Sequence, residues 1–275
     1  MLILGLDGGG TGCRAALADL GGTVIARAEG GPANIASDPD RARDNILSTI
    51  MATLQMAGAD PADLCLGLGL AGANMAGASA RLAERLPFAR LRIETDAVAA
   101  ALGALGGADG IVAALGTGSV FAAVEGGLVR QIGGWGFVLG DQGSGAVIGR
   151  AILSACLRAH DGHLPMTPLL ERLLHNHGGP EGIVAFAQTA RPADFARLAP
   201  DVLSSSDSAA QSLMASASGE VAAAIDLLQG KRALPVVFTG GLGPTYRNRL
   251  AGRWPVQDAV GTALDGALIL ARGLL

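Results

Sequence analysis

The sequence predicts an α/β protein made of two similar domains that face each other across a ligand-binding cleft. A glycine-rich hairpin that follows an apolar strand occurs twice, near residues 7–12 and again near residues 116–119. Continuous apolar runs typical of buried strands alternate with helical segments in both halves. The chain has 275 residues, which is enough for two domains of moderate size.

The first hairpin has the composition of a phosphate-binding turn. An apolar strand over residues 2–6 leads into Asp7-Gly8-Gly9-Gly10-Thr11-Gly12, and strand patterns over 13–19 and 23–27 follow. Closely spaced glycines let backbone N–H groups converge on one point, and such a nest binds phosphate. The carboxylate of Asp7 suits a magnesium ion beside that phosphate, held directly or through water. An ordinary tight hairpin, which also needs glycine, is the alternative.

Two better-known phosphate motifs do not fit this segment. A P-loop requires a Gly-Lys-Ser/Thr sequence and then a helix, and the segment contains no lysine. A dinucleotide fingerprint also requires a helix after its glycines, whereas strand patterns follow here. The segment therefore predicts a glycine-rich hairpin within an antiparallel meander.

The same order of elements recurs in the second half. An apolar strand over 111–115 leads into Gly116-Thr117-Gly118-Ser119, and strands over 120–124 and 128–132 follow, joined by Gly126-Gly127. The repeat favours two like domains, each of which offers a phosphate hairpin to a ligand in the cleft. Coincidence is the alternative, because the chain contains 42 glycines.

The composition excludes several classes of protein. Only 3% of the residues are aromatic and the net charge is -4, which argues against a surface for nucleic acid. There is no long apolar run typical of a membrane span, and no basic segment typical of a signal peptide precedes the first strand, so we expect a cytoplasmic protein. The three scattered cysteines, Cys13, Cys65 and Cys156, are interpreted as small core residues.

The remaining elements follow in order along the chain. In the first half we expect a helix over 39–58 introduced by Ser37-Asp38-Pro39, a buried strand over 64–70, a helix over 78–86, a strand over 91–94 and a helix over 97–105 that opens at Asp96. In the second half we expect a glycine-rich loop over 133–145, a helix over 146–159, a largely helical stretch over 166–230, a buried strand over 235–239, a short strand over 256–258 and a helix over 262–270.

The glycine-rich segment 106–110 marks the predicted domain boundary. The first predicted domain covers residues 1–106 and is completed by the C-terminal helix, residues 262–275. The second covers residues 107–261 and carries a helical insertion.

These motifs together resemble the sugar kinase/hsp70/actin superfamily of ATPases. Within it the chain is similar to the BadF/BadG/BcrA/BcrD ATPase family, and to its N-acetylglucosamine kinase and glucosamine kinase members. The resemblance rests on the two hairpins, Thr95-Asp96-Ala97, Thr239-Gly240-Gly241, and the loop with Gly133-Gly134-Trp135-Gly136 and Leu139-Gly140-Asp141-Gln142-Gly143-Ser144. It implies two ribonuclease-H-like (actin-like ATPase) domains around an interdomain cleft that holds Mg²⁺ and ATP.

The resemblance also implies roles for individual residues. The residues implied to bind ATP are Asp7, Gly9, Gly10, Thr11, Thr117, Gly118, Ser119, Gly240 and Gly241, with Asp7 also serving the Mg²⁺ ion. Asn34, Asp96, Trp135 and Asp141 are implied to hold the sugar, and Asp96 is implied to be the catalytic base.

The local sequence leaves a structural alternative for each of the sugar-site residues. Asp96 stands where a helix N-cap would stand. Asp141 is a turn aspartate among glycines, and Asn34 is an ordinary loop asparagine. Trp135 is either the wall of a sugar site or a core anchor.

The leading hypothesis is therefore an ATP-dependent kinase that phosphorylates the 6-hydroxyl of N-acetylglucosamine or glucosamine. Some members of the family instead activate dehydratases or reductases through an iron–sulfur cluster shared across a dimer, but those relatives use two cysteines where this chain offers Cys156 alone. A non-catalytic sugar or nucleotide sensor is the third hypothesis. The resemblance implies a homodimer that acts on a small-molecule sugar.

Overall fold

The structure, a computed structural model, describes residues 1–230 and 232–275. Its strands are β1 (Leu2–Gly8), β2 (Cys13–Ala18), β3 (Val24–Gly30), β4 (Leu64–Leu70), β5 (Leu91–Thr95), β6 (Gly110–Leu115), β7 (Ser119–Glu125), β8 (Leu128–Gly133) and β9 (Val236–Thr239). Its helices are α1 (Pro39–Ala57), α2 (Ala78–Ala83), α3 (Asp96–Leu105), α4 (Gly145–His160), α5 (Pro168–Asn176), α6 (Gly179–Thr189), α7 (Pro192–Ala196), α8 (Ala199–Leu203), α9 (Ser208–Gln229), α10 (Gly243–Arg249) and α11 (Ala263–Arg272), with a short 3-10 helix at Pro61–Asp63.

The strands form two sheets, and the second sheet repeats the order of the first four strands of the first sheet. The five-stranded sheet has the order β3-β2-β1-β4-β5, and the four-stranded sheet has the order β8-β7-β6-β9. In the first sheet β2 is antiparallel to β1 and β3, whereas β4 is parallel to β1 and β5. In the second sheet β6 is parallel to β9. Helices pack against strands of both sheets, so the predicted α/β class and the predicted internal repeat of strands are confirmed.

The strand predicted over 256–258 is wrong. The structure has only one parallel bridge there, between Val236 and Val256. The backbone N–H of Val236 donates to the carbonyl of Pro255, and the N–H of Gln257 donates to the carbonyl of Val236. Because Pro255 has no N–H group, the ladder cannot continue toward lower residue numbers. In the other direction the chain soon contacts α3, where the N–H of Val260 donates to the carbonyl of Ala104.

The chain divides into two compact units. Unit 1 contains Met1–Gly110, Ala122–Arg130 and Asp258–Leu275, and unit 2 contains Ile111–Phe121 and Gln131–Gln257. The C-terminal helix α11 therefore lies in unit 1, and the helices α4 to α10 lie in unit 2.

The sheet of unit 1 is covered on both faces. Leu4 and Leu6 belong to a core that includes Ile46 and Ile50 of α1. Ile3, which lies on the opposite face of β1, packs instead with Ala271 and Leu268 of α11. This alternation follows from the two-residue period of a strand, and the burial of both faces explains why β4 is apolar throughout.

Helix α1 begins and ends as its sequence predicts. The Asp38 side chain accepts a hydrogen bond from the backbone N–H of Arg41, and Pro39 occupies the first turn. Gly58 ends the helix in the left-handed conformation, with φ of 61°.

Glycines bring α11 directly onto the sheet. Gly5 of β1 and Gly67 of β4 are neighbours in the parallel register. A Cβ atom on Gly5 would lie 2.5 Å from the backbone nitrogen of Leu268, and one on Gly67 would overlap the carbonyl oxygen of Ala267. Because both obstacles are backbone atoms, a larger residue at either position would push the helix away from the sheet.

Unit 2 holds the predicted helical stretch, which appears as α5 to α9. Helix α4 packs against α5, α7, α8 and α9, and α10 packs against β9 and α9. Among the described residues, no helix is both long enough and apolar enough to cross a membrane.

Gly67→Ala should destabilise the protein by about 1–3 kcal/mol, because the new methyl group meets helix backbone that cannot move locally. Gly219→Ala is the matched control: Gly219 lies inside α9 with no atom near its missing Cβ, so alanine should be neutral or stabilising by about 0.5–1 kcal/mol. Urea unfolding followed by circular dichroism measures both changes. Equal effects of the two substitutions would contradict the packing described here.

Candidate active site

The first glycine-rich turn leaves backbone donors facing open space. The N–H of Gly9 donates to the carbonyl of Gly12 at 2.9 Å, and the carbonyl of Gly9 accepts from Ala33 at 2.8 Å. Within the described residues, the N–H groups of Gly10 and Thr11 make no hydrogen bond. These two donors are therefore available to an anion.

Gly9 and Gly10 leave open space beside this turn because they have no side chain. Neither Gly9 nor Gly10 has a positive φ. A Cβ atom on either residue would have no neighbour within 4 Å. The sequence suggested that glycine was needed to turn the amides, whereas the structure shows that its main effect is to leave the approach to the turn open.

Asp7 and Arg14 form an ion pair at the mouth of this turn. They are direct neighbours across β1 and β2, and Arg14 Nη2 lies 2.8 Å from Asp7 Oδ2. The Asp7 side chain is 17% exposed and the Arg14 side chain is 58% exposed. Both line a cavity of about 420 Å³ together with Thr11 and Gly12.

Sequence reasoning missed Arg14. The signal was present, because a residue placed symmetrically about a hairpin turn lies opposite its partner on the other strand. An exposed guanidinium beside the first glycine-rich turn is suited to contact an anion such as phosphate.

Asp96 lies at the carboxyl end of β5, where it opens α3. The N-cap role that the sequence left open for it belongs to Thr95, whose Oγ1 accepts from the N–H of Val98 at 3.1 Å. Asp96 Oδ1 accepts from the N–H of Ala97 at 2.9 Å. The carboxylate is therefore not required to cap the helix.

The environment of Asp96 favours a proton acceptor stronger than an exposed aspartate. Burial raises the pKa of its carboxyl, the hydrogen bond from Ala97 lowers this pKa, and the negative charge of Asp7 raises it again. The net direction is upward. A carboxylate with a raised pKa holds a proton more firmly once it has accepted one.

Asn34 shapes its own loop. Its Oδ1 accepts from the N–H groups of Ala36 at 2.9 Å and Ser37 at 3.1 Å. The loop is held to the end of β4 by the N–H of Ile35, which donates to the carbonyl of Ala71. The Asn34 oxygen is thus already used, and its amide NH₂ group is the part suited to a ligand.

The second glycine turn, in unit 2, is fixed against α4. The carbonyls of Gly116 and Thr117 accept from the N–H groups of Gly145 at 2.8 Å and Ala146 at 3.2 Å. The buried Ser119 hydroxyl donates to the carbonyl of Gln142 at 2.8 Å. The hydroxyl proton of Ser119 is therefore already donated, and the predicted contact of Ser119 with ATP would have to come from its backbone.

Gly241 lines a cavity in unit 2, and Gly240 directly precedes it in the sequence. Gly240 has φ of 80°, and a Cβ on it would overlap the carbonyl oxygen of Leu115, so this position requires glycine. The cavity has a volume of about 730 Å³ and brings Thr117 and Gly241 together. Sequence reasoning missed its other wall, which consists of Ala196, Ala199, Pro200, Leu203 and Ser204. No motif marks these small and apolar residues.

Asp141, in unit 2, has an unusual backbone conformation. It is the only non-glycine residue with positive φ in the described chain, at 60°, and it is 8% exposed. In the part of the chain that the structure describes, no hydrogen bond or ion pair reaches its carboxylate. A Cβ on Gly118 would lie 3.0 Å from Asp141 Oδ2, so the carboxylate lies against the second glycine turn.

Hydrogen bonds to three consecutive backbone carbonyls hold the strained segment 141–143 in place. The carbonyl of Asp141 accepts from the N–H of Ser144 at 3.0 Å, that of Gln142 accepts from Ser119, and that of Gly143 accepts from the Tyr246 hydroxyl at 2.6 Å. Strain that the surroundings enforce so fully is typical of functional sites. A simple turn aspartate would use its carboxylate on the turn's own amides.

Trp135 is not a core anchor, because 76% of its surface is exposed. Phe137 anchors the loop instead. Its ring lies 5.0 Å from that of Phe195 in α7, and the guanidinium of Arg150 lies over it. The loop with Trp135 is therefore tied to the helical stretch of unit 2, and the role of Trp135 toward a sugar stays a prediction.

A comparison with protein families identifies the family of this chain. The profile of the BadF/BadG/BcrA/BcrD ATPase family matches residues 4–250. The chain belongs to this family. As a BadF/BadG/BcrA/BcrD ATPase it is 32% identical over 280 residues to the glucosamine kinase of Vibrio cholerae, an alignment that covers 98% of this chain and 95% of that protein.

Two further relatives support the placement within the BadF/BadG/BcrA/BcrD ATPase family. The N-acetylmuramic acid/N-acetylglucosamine kinase of Clostridium acetobutylicum is 28% identical over 168 residues, or 58% of this chain and 54% of that protein. A crystal structure from Chromobacterium violaceum, provisionally assigned as an N-acetylglucosamine kinase, is 36% identical and covers 98% of both chains with a TM-score of 0.79. The predicted fold class is thereby confirmed.

Two substitutions should move the pKa of Asp96 in opposite directions. Asp7→Asn removes a negative charge that raises this pKa, so the pKa should fall. Arg14→Met removes the cation that partly neutralises Asp7, so the pKa should rise. Carbon-13 NMR titration of the Asp96 carboxyl measures both shifts. Shifts in the same direction would contradict the electrostatic arrangement.

Proposed function

We propose that this protein is an ATP-dependent kinase that phosphorylates the 6-hydroxyl of glucosamine or N-acetylglucosamine. The observation that carries the proposal is the position of Asp96. Its carboxylate has a raised pKa and lies at the same end of the parallel strands as the glycine-rich turn that follows Asp7. The similarity to kinases of amino sugars supports this substrate class.

The residues of each unit suit one part of phosphoryl transfer. The free N–H groups of Gly10 and Thr11 and the guanidinium of Arg14 suit the phosphates of ATP. The cavity beside Thr117 and Gly241 has an apolar wall that suits the adenosine. Catalysis of this kind depends mainly on positioning and on neutralising charge.

Asp7 fits the requirement for magnesium. Mg²⁺ in nucleotide sites is usually held by one or two carboxylates together with phosphate oxygens and water. Such a site does not need a cluster of three or more ligating side chains, and the described residues contain none. When bound, the ion neutralises charge on the phosphates. The carboxylate of Asp7 would hold it beside the glycine turn.

The chemical step follows from Asp96. The 6-oxygen of the sugar forms a bond to the γ-phosphorus of ATP, and the bond to the bridging oxygen breaks, so its electron pair leaves with ADP. Asp96 accepts the proton of the attacking hydroxyl. Asn34, Trp135 and the buried carboxylate of Asp141 would orient the sugar.

The iron–sulfur activator hypothesis gains no support from Cys156. This residue lies buried inside α4, and burial raises the pKa of its thiol to about 11. Cluster ligands are thiolates, which such an environment disfavours. The homodimer and the cytoplasmic location stay predictions.

Asp96→Asn should lower kcat on amino sugars by about 10²–10⁴-fold, because the variant lacks the proton acceptor. Nucleotide affinity should be retained. The exposed Asp63→Asn is the matched control and should leave kcat unchanged. A coupled assay of ADP release with glucosamine and N-acetylglucosamine measures both, and wild-type activity on neither sugar would reject the proposal.

The rate should fall at acidic pH in a way set by Asp96. The carboxylate must be ionised to accept a proton, and its raised pKa places the acidic limb above the value of about 3.9 typical of an exposed aspartate. Rates rise with pH through this limb and level off above it. A pH profile of kcat/KM for the sugar measures the limb, and an inflection at or below the ordinary aspartate value would refute Asp96 as the base.

A further inference from the structure

The single tyrosine of the chain, Tyr246, holds the loop that carries Asp141. Its side chain is fully buried, and its hydroxyl donates to the carbonyl of Gly143 at 2.6 Å. Burial raises the pKa of this phenol, so it remains a neutral hydrogen-bond donor across the physiological range. The bond joins residues that are 103 positions apart in the sequence.

Gly143 has little freedom to move away from Tyr246. It has φ of 78°, and a Cβ there would overlap the Val221 side chain and lie 3.3 Å from the Tyr246 hydroxyl oxygen. The hydrogen bond therefore acts on a closely packed backbone position two residues after Asp141. A small displacement of Gly143 would change the direction of the Asp141 carboxylate, since the backbone between them is already strained.

Tyr246 also lies close in sequence to Gly241, which lines the cavity of unit 2. It belongs to α10, which begins at Gly243 directly after Gly240-Gly241-Leu242. The N–H of Leu242 donates to the carbonyl of Leu115, which fixes the start of this helix to the end of β6. The segment Gly240-Gly241-Leu242 is thus fixed to β6 by a hydrogen bond that does not involve the tyrosine hydroxyl.

We propose that Tyr246 is a positioning residue that sets the direction of the Asp141 carboxylate toward the sugar. This inference rests on the proposed function, in which Asp141 accepts hydrogen bonds from sugar hydroxyls. Tyr246 itself does not contact the substrate. Its hydroxyl and that of Ser119 hold adjacent carbonyls, so the two act as supports for one strained segment.

Tyr246→Phe removes the hydroxyl and keeps the ring. The KM for the sugar should rise roughly three- to tenfold, the usual consequence of losing one well-formed hydrogen bond. The KM for ATP should stay within about twofold of the wild-type value, because the glycines keep their own attachment. An unchanged sugar KM, or equal increases in both KM values, would overturn the proposal.

Thr53→Val is the matched control for a lost buried hydrogen bond. Thr53 Oγ1 donates to the carbonyl of Thr49 at 2.8 Å inside α1 of unit 1, and Thr53 is fully buried. This variant should leave both KM values unchanged. An equal rise of the sugar KM in the control would show that general destabilisation, and not positioning, explains the tyrosine variant.

A double-mutant cycle tests whether Tyr246 acts through Asp141. Calorimetric sugar binding is compared among the wild type, Tyr246→Phe, Asp141→Asn and the double variant. If the tyrosine acts through the carboxylate, its substitution should cost at most about twofold in affinity once Asp141 is changed. Additive losses would overturn the proposal.

Ser119→Ala provides a second test that does not depend on the folding of the tyrosine variant. It removes the neighbouring support and keeps the backbone of Ser119, so it should raise the sugar KM in the same direction. The failure of each proposal is distinguishable in these assays. Wild-type protein without sugar turnover rejects the proposed function, whereas an active wild type with unchanged support variants rejects the positioning role alone.

Discussion

The parallel pairing of β4 with both β1 and β5 is the constraint on which the rest of unit 1 depends. Parallel strands end at the same edge of a sheet, so this pairing gathers the turn after β1, the loop of Asn34 and the start of α3. It also requires that both faces of the sheet be covered. Gly5 and Gly67 meet this requirement because they let α11 lie directly on the strands.

Charge at this edge is balanced between neighbours. Asp7 is paired with Arg14 across the hairpin, while its remaining field acts on Asp96. Burial acts on Asp96 in the same direction. Both effects make the Asp96 carboxylate a stronger base than an exposed aspartate, and one of them comes from Asp7, the residue proposed to hold a magnesium ion.

In unit 2 a strained backbone places a carboxylate in a buried position. Asp141 has a left-handed backbone and a buried carboxylate, an arrangement that costs stability wherever it is not enforced. Hydroxyl groups from β7 and α10 enforce it by binding successive carbonyls. Helix α4 contributes in a different way, because its first N–H groups hold the second glycine turn.

The sequence by itself determined the order of the elements and most of the candidate residues. The glycine turns, the buried strands and the capped helices are local features, set by propensity and by periodicity within a few residues. Asp38 before Pro39 is sufficient to begin α1, and an unbroken apolar run is sufficient to identify β4. The family of the chain follows from the order of these motifs.

The tertiary structure decided how those residues are used. Thr95 and not Asp96 caps α3, the hydroxyl of Ser119 faces a carbonyl, and Trp135 is exposed while Phe137 anchors its loop. Arg14, Tyr246 and the wall formed by α7 and α8 carry no motif. The Thr95 cap is a local contact, but sequence alone does not decide between two adjacent capping residues. The roles of Ser119, Arg14, Tyr246 and Phe137 depend on contact between residues that are distant in sequence or on opposite strands, and local patterns do not encode such contacts.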